Sequence, residues 1–249
     1  MTPIHRGGSC GAAFATLLLI CGCFTGPYEQ GYRQRLAEFR GDAEFAVLDR
    51  NAEFLADGRV TLRPPRQLLA QQQDEGTKLR ARPPFLMQFP GYAFAREASF
   101  MAGPSKLPVV LTVGVVPAAR QRHAEIEREI LEQVRANEAF ANAEWQKGRT
   151  VEPAADGPAT WDVLSLQGSQ EFESLTNGNV EYRKWPGSCE IWVSADPKQE
   201  FCTVVALRVP ADVAENLELP AEQLAALVAR TVAIVPPPDA AAEPAAPGP

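Results

Sequence analysis

The sequence has little of the chemistry on which most soluble enzymes depend. It contains two histidines and five cysteines among 249 residues, and the cysteines form no paired CxxC motifs. It has no HExxH motif, no GxSxG nucleophile elbow, no Walker A loop and no EF-hand series. These absences exclude standard zinc, esterase and phosphate-loop sites, so the sequence predicts no cofactor and no metal.

Apolar runs long enough to span a membrane are also absent. The run near the N-terminus, Ala12 to Ile20, is nine residues long, whereas a transmembrane helix needs about 20. A short polar segment with Arg6 and no acid precedes it. This layout is typical of a signal peptide rather than of a permanent membrane span.

A short motif ends the apolar run. Ile20-Cys21-Gly22-Cys23 resembles a bacterial lipobox, although Cys21 stands where Ala or Ser is commoner. The resemblance implies cleavage before Cys23, acylation of Cys23 with palmitate-type chains, and a membrane anchor in the cell envelope. Phe24 rather than Asp follows the cysteine, as in lipoproteins sorted to an outer membrane. The alternative is an ordinary secretory signal that is cut nearby.

The charge balance is acidic. The net charge is −7, and it becomes −8 if residues 1–22 are removed, because they contain Arg6 and no acid. This balance argues against nonspecific nucleic-acid binding, which needs clustered Lys and Arg. One region is basic. Its charges indicate either a solvated loop or a surface that faces anionic headgroups or a partner. Its cations are Arg59, Arg63, Arg66, Lys78, Arg80 and Arg82.

We predict four segments along the chain. Residues 1–22 form the signal peptide, residues 23–57 a lipidated tether with an N-terminal helix, residues 58–235 an α+β domain, and residues 236–249 a disordered Pro/Ala-rich tail. In the N-terminal helix, apolar residues recur at alternating spacings of four and three, a seam of coiled-coil type. The seam is Tyr32, Leu36, Phe39, Ala43 and Ala46. Tyr32 and Phe39 need a cover, from another protein or from the chain's own domain.

The α+β domain is predicted to be an antiparallel sheet covered by helices. Leu107 to Val116 is a β-branched run typical of a central strand, and a helix is expected from Pro117 to Phe140. Between residues 58 and 100 we expect only short edge strands and loops. Beyond residue 160, turn signals divide the chain into five short strands that form a meander on one helix-covered face, and Pro220 opens a last helix. This order of elements resembles the antiparallel sandwich of PsbP-like lumenal proteins.

The candidate site residues are few. After signal removal His123 is the one remaining histidine, on the same helical stripe as Ile126 and Ile130, which favours a structural role over a catalytic one. Trp192 is expected on the polar face of its strand and therefore on a contact surface. The acids available to a hydrolase are Glu125, Glu129 and Glu132, whose place on an amphipathic helix favours solvent exposure.

The cysteines Cys189 and Cys202 are expected to be free, buried thiols. Pairing Ile191 and Val193 with Thr203 and Phe201 would put the two cysteines on opposite faces of the sheet, where no disulfide could join them.

The leading functional hypothesis is a noncatalytic, membrane-anchored envelope lipoprotein that acts as an interaction or adaptor module toward a protein or cell-wall partner. Its predicted site residues are Cys23 for lipidation, and Tyr32, Phe39 and Trp192 for contact. Two alternatives remain open: a small-ligand or lipid-binding module, which would show a deep cavity, and a cell-wall hydrolase of another type, which would show a cleft with converging polar groups.

Overall fold

The structure, a computed structural model, describes residues 43–70, 75–117, 122–195 and 200–235. The chain divides into two compact units, residues 1–46 and residues 47–249. Of the first unit only residues 43–46 are described, so Cys23, Tyr32 and Phe39 lie outside the described residues, as does the C-terminal tail. All the elements below belong to the second unit.

The second unit combines ten strands with three α-helices among its described residues. In chain order the elements are β1 (Glu53–Leu55), β2 (Val60–Leu62), β3 (Leu69–Ala70), α1 (Glu75–Ala81), β4 (Tyr92–Ala102), β5 (Ser105–Pro117), α2 (Arg122–Arg135), a 3₁₀ turn (Glu138–Phe140), β6 (Gln146–Thr150), β7 (Thr160–Thr176), β8 (Asn179–Ser194), β9 (Phe201–Pro210), a second 3₁₀ turn (Ala211–Asn216), α3 (Ala221–Arg230) and β10 (Ala233–Ile234).

Seven strands form one antiparallel sheet in the order β3-β4-β5-β9-β8-β7-β6. β5 lies inside this sheet, with β4 on one side and β9 on the other, as its β-branched sequence predicts. The sheet also bends back on itself, because the end of β7 pairs with the start of β5 at Ser105↔Thr176 and Lys106↔Leu175. The predicted α+β class and antiparallel sheet are therefore confirmed.

β7 and β8 form one long hairpin, where the sequence predicted four short strands. Their pairing is continuous from Trp161↔Ser194 to Thr176↔Asn179. The turn between them is the predicted Asn-Gly turn: Asn177 has a φ of 53° and Gly178 a φ of 81°, the conformation that tight hairpins require.

Two glycines that suggested turns serve close packing instead. Gly168 and Gly187 lie directly opposite each other in the β7–β8 hairpin. A Cβ at Gly187 would lie 2.7 Å from the carbonyl oxygen of Val209, and one at Gly168 would lie 3.2 Å from the ring of Phe140. Glycine inside a strand often marks such an approach, so the predicted interruptions at these positions are wrong.

One face of the sheet packs against α2. This helix contributes Ile126, Ile130 and Val134 to a buried core with side chains of β7, β8 and β9. The strand residues that meet it are Leu164, Leu166, Cys189, Ile191, Val193, Cys202, Val204 and Ala206. The predicted helix on this face is confirmed, with its regular part shorter than Pro117 to Phe140.

The opposite face is buried as well. Because successive residues of a strand point to opposite faces, Trp192 points away from the α2 core, yet it is fully buried. It packs against Trp161, with ring centroids 6.3 Å apart, and α3 contacts β8 and β9. The prediction that Trp192 lies on a contact surface is wrong, as is that of a sheet covered on one face.

Glu190 is a buried acid on the Trp192 face, and it gives a testable pH dependence. Burial raises the pKa of its carboxyl, and the hydrogen bond from Ser165 Oγ, at 2.6 Å, offsets only part of this effect. When folding raises the pKa of an acid, the folded protein loses stability as the pH rises above the pKa of that acid in the unfolded chain, about 4.3 for Glu. Glu190→Gln keeps an acceptor without the charge, so it should stabilise the protein at pH 7 and change little at pH 4. Urea unfolding at both pH values measures this; an equal effect at both would contradict it.

A second, small sheet has the order β1-β2-β10. β1 lies at Glu53–Leu55, so the N-terminal helix predicted within residues 23–57 does not extend to the end of that segment. α3 begins after Pro220, as expected, but ends at Arg230 with Thr231 as its C-cap. Val232 then precedes β10, because pairing of Ala233 and Ile234 with β2 replaces further helix.

The region from residue 58 to residue 100 is more regular than predicted. It contains α1, and β4 is eleven residues long and paired with β5 along most of its length. The Pro83-Pro84 pair lies in the connection between α1 and β4, where it interrupts neither element.

Candidate functional site

A cluster of charged side chains lies where α2 meets the edge of the sheet. His123 and Glu127 are one helical turn apart on α2, Asp162 is on β7 and Lys147 is on β6. His123 Nε2 lies 3.0 Å from Asp162 Oδ2 and 3.5 Å from a Glu127 oxygen. Lys147 Nζ contacts Glu127 and lies 3.3 Å from Asp162 Oδ2. We call these four residues the charged cluster.

The two carboxylates of the charged cluster differ in their electrostatics. Burial raises the pKa of Glu127, and its contact with Lys147 offsets only part of this. Burial also acts to raise the pKa of Asp162, but the hydrogen bond from the backbone NH of Gly148 (2.7 Å), and then the contacts with Glu127 and His123, hold it below its usual value. Asp162 is therefore the group that carries the negative charge most readily.

The charged cluster offers three ligand atoms for a metal ion. One atom each from His123, Glu127 and Asp162 lies within 4.8 Å of the others, and imidazole with carboxylate suits divalent transition metals. Lys147 Nζ, however, already contacts both carboxylates. Both acid side chains are only 8% exposed. The arrangement resembles an ion-pair network that closes the α2–sheet junction, which agrees with the structural role expected for His123.

Sequence reasoning missed Glu127, Lys147 and Asp162 as members of this cluster. One signal was present: His123, Glu127, Ile130 and Val134 fall at helical spacing on a single stripe, and an acid on an apolar stripe needs a partner. The acids that the sequence offered to a hydrolase are all exposed, as expected on an amphipathic helix: Glu125, Glu129 and Glu132.

The two cysteines are free and buried, as predicted. Burial raises the pKa of Cys189 to about 12 and that of Cys202 to about 11, so both thiols stay protonated at neutral pH and are poor nucleophiles. The predicted register is wrong. Ile191 pairs with Ala206 and Cys189 with Arg208, a shift of three residues that puts both cysteines in the α2 core. They are nevertheless far apart along the strands.

The basic region around residues 59–82 makes internal contacts. Arg66 forms hydrogen bonds of 2.9–3.0 Å with the carboxylate of Glu218, and Arg59 pairs with Glu200. Arg63 donates to the carbonyl of Asp49 at 2.6 Å, and Arg82 donates to the carbonyl of Leu86 at 2.6 Å. These contacts favour a role in fixing loops over a role in binding anionic headgroups.

Exposed apolar side chains gather where the β4–β5 and β7–β8 hairpins end. Met101 lies opposite Lys106, Lys106 opposite Leu175, and Leu175 opposite Val180. Directly paired residues share a face, so these side chains form a row across four strands, with Tyr182 two positions beyond Val180. Met101, Val180 and Tyr182 are 57%, 57% and 61% exposed. We call Met101, Lys106, Leu175, Val180 and Tyr182 the hairpin-end patch.

The hairpin-end patch has a polar border. Tyr182 OH donates to Glu173 at 3.2 Å, and Arg80 lies 3.9 Å from the same carboxylate. An apolar centre with a polar rim is the composition of protein contact surfaces. Among the described residues, no helix combines the length and apolar character needed to cross a bilayer.

Comparisons with known proteins find similar structures but no family. No protein-family model matches the sequence, and neither does any curated protein. The Ran-binding protein Mog1p of Saccharomyces cerevisiae is 14% identical, with a TM-score of 0.39 over 76% of this chain and 96% of that one. LpqN, involved in cell envelope biogenesis of Mycobacterium tuberculosis, is 13% identical, with a TM-score of 0.36 over 76% of this chain and 92% of that one. At these identities and TM-scores, neither similarity assigns a function to the chain.

Proposed function

We propose that this protein is a lipid-anchored lipoprotein of the cell envelope that acts as a noncatalytic interaction module. The lipobox ending at Cys23 supports the anchor. The observation that carries the interaction role is the hairpin-end patch. Its exposed apolar side chains lie on one row of paired residues, in which Lys106 stands between Met101 and Leu175, and the row has a polar rim. The proposed partner is an envelope protein with a complementary apolar surface.

The patch replaces Trp192 as the contact surface. It lies on paired strands rather than on a loop, so its shape is fixed before a partner arrives, which lowers the entropy cost of binding. It also presents Tyr182 and Met101, residue types that are enriched in protein interfaces.

Crosslinking from inside the patch tests the proposed contact surface. A photo-crosslinking amino acid at Val180 should give a discrete crosslinked species in intact cells, and one at exposed Glu144 should not. Adding Met101→Glu should reduce the species at least about fivefold, the effect of roughly 1 kcal/mol. Crosslinking that is equal from both positions, or that Met101→Glu leaves unchanged, would contradict the proposed surface.

The anchor is tested in the same cells. Cys23→Ala should move the protein from the membrane pellet to the soluble fraction, because without acyl chains residues 23–249 contain no apolar run of the roughly 20 residues that span a membrane. It should also reduce the Val180 crosslink, since the partner is expected at the membrane. If the Cys23→Ala variant stayed in the pellet after a salt wash, the proposed lipid anchor would be contradicted. The proposed contact surface would still be tested by crosslinking.

A further inference from the structure

A cleft of about 490 Å³ lies between the middle of β7, at Ser169 to Glu171, Lys184 of β8, and the segments around Phe85 and Asn137. Its volume falls within the roughly 300–1,000 Å³ of small-ligand sites. Gln170 lines it, although this residue is only 2% exposed. Neither amide atom of Gln170 has a hydrogen-bond partner among the residues that the structure describes. Such a buried, unpaired amide is costly, so its presence calls for a ligand or another explanation.

Along much of its length, the strand beside this amide has no paired strand on one edge among the described residues. β8 takes one edge of β7 along the whole hairpin. On the other edge β6 pairs only as far as Val163, and β5 pairs only with Leu175 and Thr176. Within the described part of the chain, no strand therefore pairs with the β7 edge between residues 164 and 174. The carbonyl of Glu171 on this stretch accepts a hydrogen bond from Arg208, so the other backbone groups of the stretch remain for an added strand. An open strand edge is a template for an added strand.

The walls of the cleft are held in place by packing. Phe85 and Phe140 meet edge to face with ring centroids 5.2 Å apart, and Gly168 lets Phe140 approach β7 closely. Below this edge, the buried Arg208 lies 5.1 Å from the ring of Phe172 and donates to the carbonyl of Glu171 at 3.4 Å. These contacts keep the β7 edge and the apolar wall at a fixed separation.

We infer that this cleft binds an extended peptide, which adds a strand to the β7 edge and pairs one of its amide groups with the side chain of Gln170. A peptide unit presents one N–H donor and one C=O acceptor, and the primary amide of Gln170 supplies the complementary acceptor and donors. Pro84 and Phe85 offer an apolar wall to the peptide's side chains. This site is separate from the hairpin-end patch and depends on neither the patch nor the anchor.

The test uses the full chain in detergent with glutamine labelled by ¹⁵N, so that the side-chain NH₂ signal of Gln170 is observed directly. Gln170→Leu assigns that signal by its loss. The probe is N-acetyl-tetraalanine N-methylamide, and a matched depsipeptide replaces its central N–H groups by ester oxygens. We expect the amide peptide to shift the Gln170 signal in a saturable way, and the depsipeptide to bind at least tenfold more weakly, about 1.4 kcal/mol.

Gln170→Leu separates a binding role from a structural one. An amide that is unpaired in the free protein destabilises it, so the leucine variant should lose peptide binding and raise Tm by about 2–4 °C. Gln167→Leu, an exposed position on the same strand, should change neither. A lower Tm in Gln170→Leu, or no shift of the Gln170 signal with saturating peptide, would overturn the inference. Crosslinking from Val180 should be unaffected by Gln170→Leu, so the peptide site and the hairpin-end patch are tested independently.

Discussion

Replacing Trp192 with alanine is expected to lower the free energy of unfolding by about 3–5 kcal/mol, the cost of emptying a large aromatic site in a core. Trp192 is fully buried and packs on Trp161. The guanidinium of Arg149 also lies 4.8 Å from its ring centroid, a cation–π contact. Chemical denaturation of the wild type and the variant measures the difference.

Met87→Ala is the matched control for this prediction. Met87 is 82% exposed, so its truncation should change stability by less than about 0.5 kcal/mol. If Trp192→Ala changed the free energy of unfolding as little as Met87→Ala, Trp192 would not be buried between the sheet and α3. The prediction that Trp192 lies on a contact surface would then be supported.

Asp162→Ala is expected to lower the free energy of unfolding by about 2–3 kcal/mol, because it removes the carboxylate that the other groups of the charged cluster share. Gly148 NH, His123 and Lys147 all contact this carboxylate. The cost falls below the 3–5 kcal/mol typical of a fully buried pair, since Lys147 is 56% exposed and can regain water. Thermal and urea unfolding at pH 7 measure it.

The pH dependence of this variant has a definite sign. Folding lowers the pKa of Asp162, so its contribution is present above the unfolded pKa, about 3.9, and is lost as the pH falls toward the folded pKa. The difference in free energy of unfolding between the wild type and Asp162→Ala should therefore become smaller below about pH 4. Asp162→Asn keeps an acceptor for Gly148 NH and should lose less stability than the alanine variant. A gap that does not change with pH would mean that the charge of Asp162 is unimportant.

Elements with one strong periodic signal were predictable from the sequence. β5 follows a β-branched run, α2 carries Ile126, Ile130 and Val134 on one stripe, and the Asn177-Gly178 turn has the residues that its φ angles require. In each case the local preference and the tertiary environment agree, which is when sequence reasoning succeeds.

The register and the site were not predictable in the same way. All of β9 except Phe201 is buried, so alternation could not tell its two faces apart, and a register argument based on one apolar face fails. Glu190 and Ser194 suggested a solvent-exposed face for Trp192. Inside the fold, however, Glu190 accepts a hydrogen bond from Ser165, and Ser194 accepts one from the backbone NH of Thr203. The charged cluster joins positions from α2, β6 and β7, which no local pattern connects.

The small sheet sets an order on folding. β2 pairs with β10, and Arg59 donates to the carbonyl of Val235, 176 residues later. Contacts between residues so distant along the chain slow folding, because loop closure precedes any gain from the contact. During synthesis, β2 therefore has no partner strand in β10 until nearly the whole domain has been made. The last step of folding should be the docking of β10. The amide of Val235, which donates to the carbonyl of Arg59 at 2.8 Å, should therefore become protected from hydrogen exchange later than the amides of the β7–β8 hairpin.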